Sequence, residues 1–329
     1  GAWGTTLAVL LSQKGLRVSL WSNFPNYLDD LRRRRENLKH LPGIKIPKDI
    51  LFEKNIDKLI EKSDIIIIAI PSKYFRSVIK KIRTREFRNK IFVSVAKGIE
   101  GRTLKRMSEV IQEELGRVTV AVLSGPTIAY EIAKKIPSVA VVASKNQRIT
   151  KKLQELFSTD YFRVYRQNDI IGVELGGSLK NIIAIAAGIS DGLGFGANSK
   201  AAILSRGLIE ITRLGVKIGA KKRTFSGISG LGDLATTCIS KESRNRTFGE
   251  RIGQGERAKN VLMSMEEAKR GTKVRGVVEG ATTVKAVYKL SKIYRVDMPI
   301  TKEIFNVLYR DKSPKRALRD LMRRRKKQE

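Results

Sequence analysis

The sequence predicts a doubly wound α/β sheet over residues 1–170, followed by an all-α domain over residues 171–329. Two observations predict this architecture. Before residue 170, short β-branched strand patterns alternate with helical spacing, which is typical of a parallel sheet covered by helices on both faces. After residue 170, strand patterns stop, and long segments with helical spacing follow between clusters of glycine. A chain of 329 residues is long enough for two domains of roughly 150 residues each.

The elements of the first domain follow from these patterns. Helical spacing is clearest over residues 5–14 and 103–115. The strand patterns fall at residues 17–21, 64–71, 91–98, 118–126, 138–144 and 161–166.

The charge of the chain is strongly positive, with 66 Lys and Arg against 32 Asp and Glu. A basic surface is the usual footprint of nucleic-acid binding, which is one alternative for this protein. The positive residues are spread along the whole chain, however, and no aromatic-interleaved basic stripe is present. We therefore expect a surface that attracts phosphorylated metabolites, with no dedicated nucleic-acid or membrane partner.

Several classes of protein are excluded by composition. The longest strongly apolar run, "IIIIAI" at 65–70, is far shorter than the ~18 residues of a membrane span. Cys238 is the only cysteine, so no disulfide can form within the chain, and His40 is the only histidine. A site with two imidazole ligands is impossible, and we expect no metal. A cytoplasmic location is the simplest expectation.

The chain opens with "GAWG", in which Gly1 and Gly4 have the spacing of the last two glycines of G-x-G-x-x-G. Such glycines let the backbone approach a pyrophosphate at the N-terminus of the following helix. The first strand that should precede this loop is missing from the sequence, and we expect it upstream of Gly1. The next strand ends in "WSN", where an NAD site usually carries an acid. A 2′-phosphate on the cofactor is therefore not repelled, and the arginines at 32–35 either favour it or form a solvated helix face.

Polar residues stand at the ends of two predicted strands and in one apolar helix. Lys97 ends a strand in "SVAKG", and Thr127 follows another in "SGPT". Because the carboxyl ends of parallel strands form the ligand crevice of an open sheet, both side chains should face it. Lys180 lies near the start of the apolar segment "LGGSLKNIIAIAAG". Its ammonium either reaches the surface along an apolar stem or is buried for a chemical purpose.

Motifs along the whole chain resemble those of one family, bacterial-type NAD(P)-dependent glycerol-3-phosphate dehydrogenase. They are "GAWGTTLA", "VAKGIEG", "LSGPTIAYEIA", "GVELGGSLKN", "GLGDLATTC", "SRNRTFG", "VVEG" and "MPIT". The resemblance implies a Rossmann-like first domain and a helical substrate domain. It also implies interconversion of sn-glycerol 3-phosphate and dihydroxyacetone phosphate by hydride transfer with NADPH or NADH, for phospholipid synthesis. A small phosphorylated substrate and a homodimer are implied as well.

The resemblance implies roles at matching positions. Lys180 would accept the proton in alcohol oxidation and donate it in reverse, supported by Asp233, and Lys97 would contact both cofactor and substrate. Further substrate contacts would come from Gly125, Thr127, Asn181, Ser243, Arg244 and Asn245. Cofactor contacts would come from Gly1, Ala2, Trp3, Gly4, Asn23, His40, Lys97, Ala129, Arg244, Val277 and Glu279. The family's cofactor-phosphate arginine is replaced by Asn23 and Phe24, and a loop tyrosine by His40, which leaves the choice between NAD and NADP open.

Elementary chemistry agrees with these roles. Removal of water and the nearby charge of Lys97 would lower the pKa of the Lys180 ammonium towards neutrality, where proton transfer is most effective. Asp233 would oppose that shift, and the sequence leaves the balance open. Another dehydrogenase with the same two domains is the alternative, but Arg244 and Asn245 favour a phosphorylated substrate.

Overall fold

The computed structural model describes residues 1–84, 87–267, 277–326 and 328. Its strands are β1 (Ser19–Leu20), β2 (Glu36–Asn37), β3 (Leu41–Lys45), β4 (Leu51–Phe52), β5 (Ile65–Ile68), β6 (Ile91–Ser94), β7 (Thr119–Ser124), β8 (Ser138–Ala143) and β9 (Phe162–Gln167). Its helices are α1 (Ala2–Gln13), α2 (Pro25–Arg34), α3 (Ile56–Glu61), α4 (Phe75–Ile79), α5 (Met107–Leu115), α6 (Ala129–Ala133), α7 (Gln147–Phe157), α8 (Ile170–Gly192), α9 (Ala197–Lys217), α10 (Lys222–Phe225), α11 (Asp233–Ile239), α12 (Arg244–Gly253), α13 (Ala258–Glu267), α14 (Glu279–Ile293), α15 (Pro299–Tyr309) and α16 (Pro314–Met322).

The main sheet has the order β5-β6-β7-β8-β9 and carries helices on both faces. Leu7 of α1 and Phe157 of α7 are buried on one face, whereas Phe75 of α4 and Val110 of α5 are buried on the other. This arrangement confirms the predicted doubly wound architecture. All pairs in this sheet are parallel except β7 with β8, which are antiparallel. The reversal is possible because the connection through the short α6 does not have to cross over the sheet.

Smaller strands complete the first domain. β1 pairs in parallel with β4, and β2 forms an antiparallel pair with β3. The six predicted strand segments correspond to β1 and β5–β9. The β2–β3 pair was not predicted, because the surrounding stretch is basic and polar. It forms because Arg35 adopts a left-handed conformation with φ 48°, which ends α2 and turns the chain back.

The elements after residue 170 in the described part of the chain are helices, in agreement with the predicted all-α region. The division at residue 170 into two folding units stays a prediction. α8 is the central helix of this region and is buried along most of its length. Among the described residues, α8 is the one helix that is long and apolar enough to cross a membrane. However, 94% of its most apolar stretch is buried inside the protein, as is usual for a core helix.

Glycines allow α8 and α12 to touch backbone to backbone. A Cβ atom on Gly188 would lie 1.9 Å from the carbonyl oxygen of Arg246, and one on Gly192 would lie 2.0 Å from that of Glu250. No side chain fits in such a space, so these positions of α8 require glycine. The close crossing fixes the N-terminal end of α12 against α8.

Candidate active site

The start of α8 is pressed against the end of β7. A Cβ atom on Gly177 would lie 2.3 Å from Oγ of Ser124, and one on Gly176 would lie 2.5 Å from the carbonyl oxygen of Ser229. One turn later, Lys180 is only 6% exposed. The glycine pair therefore brings Lys180 to the sheet end, and the snorkelling alternative is wrong, because its ammonium is buried.

Asp233 lies between two ammonium groups. Lys180 donates from Nζ to Oδ1 of Asp233, and Nζ of Lys97 forms an ion pair with Oδ2 at 2.9 Å. Asp233 is 1% exposed and is the first residue of α11, directly after a π-helical turn at Ile228–Gly232. Such turns occur often at functional sites. The arrangement brings together the three predicted catalytic residues.

Lys97 connects this cluster to the ends of the strands. Its Nζ donates to the carbonyl oxygen of Gly125 at 2.7 Å and to Oγ1 of Thr127 at 3.2 Å. Gly125 has φ +142°, and a Cβ atom there would lie 3.0 Å from the Cα of Ala140. The side chain of Lys97 keeps 19% of its surface exposed, so it is available to a ligand in the crevice.

Thr237 is part of the site but was not predicted from the sequence. Its Oγ1 lies 2.5 Å from Nζ of Lys180 and donates to the backbone oxygen of Asp233 at 2.6 Å. The hydroxyl proton is thus directed away from Lys180, and the oxygen accepts from the ammonium. The i, i+4 spacing of Asp233 and Thr237 in "GLGDLATTC" is the signal that both lie on one face of a helix.

The pKa of Lys180 depends on its burial and on the two charges beside it. Loss of hydration by burial is the largest influence, and together with the neighbouring charge of Lys97 it outweighs the attraction of Asp233. The pKa of the Lys180 ammonium is lowered to about 8. An amine with this pKa exchanges its proton readily near neutral pH.

A second group of predicted residues forms a chain of amides. Nδ2 of Asn245 donates to Oδ1 of Asn181 at 3.0 Å, and Oδ1 of Asn245 accepts from the backbone N–H of Gly280 at 2.9 Å. Ser243 caps α12, since its Oγ accepts from the backbone N–H of Arg246 at 3.2 Å. These polar atoms therefore have structural partners already.

Arg244, the first residue of α12, is exposed. Among the contacts of the described residues, none joins Arg244 or Ser243 to the Lys180 cluster. Its charge is close enough to help lower the pKa of His40. The charge of Arg244 also interacts with that of Glu279, so Arg244 lies near two of the predicted cofactor residues.

The N-terminus of α1 has the properties of a pyrophosphate site. No side chain among the described residues caps this helix, so its first N–H groups remain available to an anion. A Cβ atom on Gly4 would lie 3.2 Å from Cβ of Ala69, so glycine permits close packing on the sheet. Ala129 is held here by its carbonyl oxygen, which accepts from Oγ1 of Thr6 at 3.0 Å. The residues at this end of the sheet fit a dinucleotide.

Three further predicted cofactor residues, Trp3, His40 and Asn23, differ in how deeply they are buried. Trp3 packs edge-on against Phe162, with ring centroids 6.4 Å apart. His40 is half-buried against the ring of Tyr27, and its pKa is lowered to about 4, mainly by burial. The imidazole of His40 is therefore neutral at physiological pH. Asn23 is exposed at the end of β1.

Glu279 lies beside the segment that follows β6 and carries Lys97, since a Cβ atom on Gly98 would lie 3.2 Å from Oε2 of Glu279. It accepts from the backbone N–H of Ser72 at 3.2 Å and also from the Ser72 hydroxyl, and burial raises its pKa. A Cβ atom on Gly98, which follows Lys97, would collide with Ser72. Val277 is half-buried just before α14. Ser72 was not predicted, because nothing in the local sequence marks it.

No group of three or more His, Cys, Asp or Glu side chains in the described residues could hold a metal ion. The site instead consists of a buried lysine of lowered pKa, a carboxylate and a second lysine, at the ligand-binding edge of a dinucleotide-type sheet. This combination defines an oxidoreductase of the nicotinamide dinucleotide class.

Comparisons with known proteins identify the family. Residues 1–150 match the family described as NAD-dependent glycerol-3-phosphate dehydrogenase N-terminus, and residues 169–319 match its C-terminus. Glycerol-3-phosphate dehydrogenase [NAD(P)+] of Chlorobium phaeobacteroides is 47% identical, over 100% of this chain and 97% of that protein. The same enzyme of a Thermoanaerobacter species is 46% identical, over 100% and 96% respectively.

A solved structure leads to the same conclusion. The crystal structure of glycerol-3-phosphate dehydrogenase from Coxiella burnetii matches with a TM-score of 0.90 and 36% identity, covering 98% of this chain and 97% of that one. The chain belongs to the NAD-dependent glycerol-3-phosphate dehydrogenase family.

Proposed function

We propose that this protein interconverts sn-glycerol 3-phosphate and dihydroxyacetone phosphate with NADPH or NADH, using Lys180 as the proton acceptor and donor. The observation that carries the proposal is the buried Lys180–Asp233 pair, with Lys97 on the other carboxylate oxygen. A secondary alcohol must lose its hydroxyl proton when its carbon loses hydride, and the lowered pKa of Lys180 suits that transfer.

The reaction in the reducing direction uses the two lysines differently. When bound, the nicotinamide supplies the hydride to the carbonyl carbon. Lys180 gives one proton from Nζ to the carbonyl oxygen, which becomes the hydroxyl of the product, and then regains a proton from solvent. The ammonium of Lys97 stabilises the negative charge that develops on this oxygen. With a pKa of about 8, Lys180 is mostly protonated at neutral pH, which favours reduction.

The substrate phosphate fits the exposed start of α12. Arg244 carries the charge and can bind a phosphate with two parallel hydrogen bonds. The N-terminus of a helix also attracts an anion through its free N–H groups. Asn245 has its amide atoms in use between Asn181 and Gly280, so we assign it to positioning rather than to direct contact.

The cofactor would lie along the edge that runs from α1 to α14. The N-terminus of α1, residues 1–4, would hold the pyrophosphate, and Ala129 would border it. Glu279 and Val277 would close the nicotinamide end, beside Lys97. Asn23 and His40 would border the adenosine end.

Assembly and location are further parts of this proposal. The family resemblance supports a homodimer in the cytoplasm that supplies glycerol 3-phosphate for phospholipid synthesis. Light scattering behind a sizing column should give twice the chain mass of 36.9 kDa. A single chain mass at micromolar concentration would remove the dimer from the proposal.

The decisive experiment measures turnover. The protein is mixed with dihydroxyacetone phosphate and either NADH or NADPH, and the loss of reduced nicotinamide absorbance is recorded. We expect turnover with at least one cofactor. The variant Lys180→Met keeps the apolar stem but removes the amine, and should lower kcat by roughly 100-fold or more. Cofactor binding, measured by titration calorimetry, should survive.

The matched control is Lys217→Met, which removes an exposed lysine of α9. It should leave turnover unchanged. Absence of turnover in the unaltered protein with both cofactors would refute the proposed activity. Loss of cofactor binding in Lys180→Met would instead assign Lys180 a structural role.

A further inference from the structure

The end of β1 is the place where a dinucleotide-binding sheet meets the adenosine ribose. In such sheets an acidic residue about 20 positions after the glycine loop binds the ribose hydroxyls of NAD. Here that position follows β1, which ends at Leu20, and Asn23 is the exposed polar residue next to it. Asparagine can bind a hydroxyl, but it cannot neutralise a phosphate.

A lysine from a distant part of the chain reaches this position. Nζ of Lys81 donates to Oδ1 of Asn23 at 2.6 Å. Lys81 lies just after α4, which ends at Ile79, and its side chain is exposed. One positive charge therefore lies within a single hydrogen bond of the residue that should face the ribose.

This charge is not cancelled by the carboxylates of the surrounding segments. No described carboxylate forms an ion pair with Lys81, and the acidic groups that follow β1 and β4 have other partners. Asp29 pairs with Lys54, Asp30 with Arg33 and Arg34, Glu53 accepts from the backbone N–H of Asn55, and Asp57 from that of Arg83.

We propose that Lys81, held by Asn23, binds the 2′-phosphate of NADPH and makes this enzyme select NADPH over NADH. The inference rests on the proposed function, since it concerns the cofactor of that reaction. The ammonium of Lys81 would bind a phosphate at the ribose 2′ position in place of the amide oxygen of Asn23. Asn23 would donate to the same phosphate from its amide nitrogen. NADH offers only a neutral hydroxyl there, so it gains little from the charge.

The kinetic test compares kcat/KM for both cofactors. The unaltered enzyme should prefer NADPH by roughly 10- to 100-fold, because a hydrogen bond to a charged group contributes a factor of this order. In Lys81→Met, kcat/KM for NADPH should fall by most of that factor, and the value for NADH should change by less than about threefold. The control Lys80→Met removes the neighbouring exposed lysine and should leave both values unchanged.

A second variant tests Asn23 in the opposite direction. Asn23→Asp places a carboxylate beside Lys81, where it pairs with the ammonium and repels a 2′-phosphate. The preference should reverse towards NADH. A preference of the unaltered enzyme for NADH, or an equal loss for both cofactors in Lys81→Met, would overturn the inference.

A binding experiment separates this inference from the proposed activity. Titration calorimetry with 2′,5′-ADP and with 5′-AMP needs no turnover and probes the adenosine half-site alone. The 2′-phosphorylated ligand should bind more tightly, and Lys81→Met should remove the difference. If this holds while dihydroxyacetone phosphate is not reduced, the proposed activity fails and the phosphate site stands. Equal affinity for the two nucleotides refutes the phosphate site.

Discussion

Two carboxylates of the helical region are equally buried but have opposite kinds of partner. Asp233, which is 1% exposed, lies between the ammonium groups of Lys180 and Lys97. Glu210 of α9 is 2% exposed and accepts from the backbone N–H groups of Ile300 at 2.6 Å and Thr301 at 3.1 Å. The first has charged partners, whereas the partners of the second in the described part of the chain are neutral: two backbone N–H groups at the start of α15 and the hydroxyl of Thr301.

The difference shows what each carboxylate is for. Burial raises the pKa of Glu210 to about 7, and the nearby charge of Asp297 acts in the same direction. Its bonds instead satisfy N–H groups that every helix start leaves free. That helix start carries the motif "MPIT". Glu210 thus holds one helix against another, whereas Asp233 holds the buried ammonium of Lys180.

The largest effect should come from Asp233→Asn. The substitution keeps the shape of the side chain but leaves two buried or half-buried ammonium groups without a counter-charge. Lys180 then loses the attraction that raises its pKa and also loses its fixed orientation. We expect kcat in the reducing direction to fall by roughly 100-fold or more. Steady-state rates at saturating substrates measure it.

Glu210→Gln is the corresponding change at the other carboxylate, and it should leave kcat within about twofold of the unaltered value, since it lies outside the reacting groups. Equal losses of kcat in both variants would mean that the comparison between the two sites is wrong. Circular dichroism of each variant establishes that it is folded.

A smaller effect concerns the pH dependence of the reaction. Oxidation needs the neutral amine of Lys180, so its rate should rise as pH increases through about 8 and then level off. Reduction needs the ammonium, so its rate should fall over the same range. Lys97→Met removes a charge that lowers the pKa of Lys180. The midpoint of both profiles should therefore move to higher pH, in addition to any loss of rate.

Profiles of kcat against pH in the two directions give these midpoints. The control Lys217→Met should leave the midpoints where they are. An unchanged midpoint in Lys97→Met would show that the two ammonium groups do not influence each other, and a shift to lower pH would contradict the proposed charge balance.

Features of this protein that depend on residues close together in the sequence could be predicted, whereas features that depend on distant segments could not. Strand and helix patterns are local, so β5–β9 and α8 were predicted, and motif resemblance was enough to name Lys97, Lys180 and Asp233. The antiparallel pairing of β7 with β8 was not predicted, because strand direction depends on the path of the connection rather than on the strand's own residues.

Contacts made over long separations in the chain were also beyond the sequence. Thr237 carried a weak local signal through its spacing from Asp233. Ser72 and Lys81 carried none, since each meets its partner only after folding brings distant segments together. The direction of the pKa shift of Lys180 could also not be predicted from the sequence. Burial and Lys97 lower this pKa and Asp233 raises it, so the outcome depends on how deeply folding buries the side chain.

The smallest expected effect is on the pH dependence of the free energy of unfolding, and it arises from the carboxyl group of Glu210. A carboxyl group whose pKa is raised on folding binds its proton more tightly in the native state than in the unfolded state. Its contribution to stability is therefore complete below pH 4.5 and is lost as pH rises from 4.5 to about 7. The free energy of unfolding, measured in urea, should decline over this range. Glu210→Gln should remove part of the decline, because an amide does not titrate.

The matched control is Glu155→Gln, a change at an exposed position on α7. Its pH dependence of unfolding should follow that of the unaltered protein. If the slope between pH 4.5 and 7 were the same in Glu210→Gln and in the unaltered protein, Glu210 would have to keep its charge without an ion pair to any of the described residues. The N–H groups of α15 and the hydroxyl of Thr301 would then be enough to replace the water lost on burial. Glu210 would remain charged, and it would differ from Asp233 only in the kind of partner that it holds.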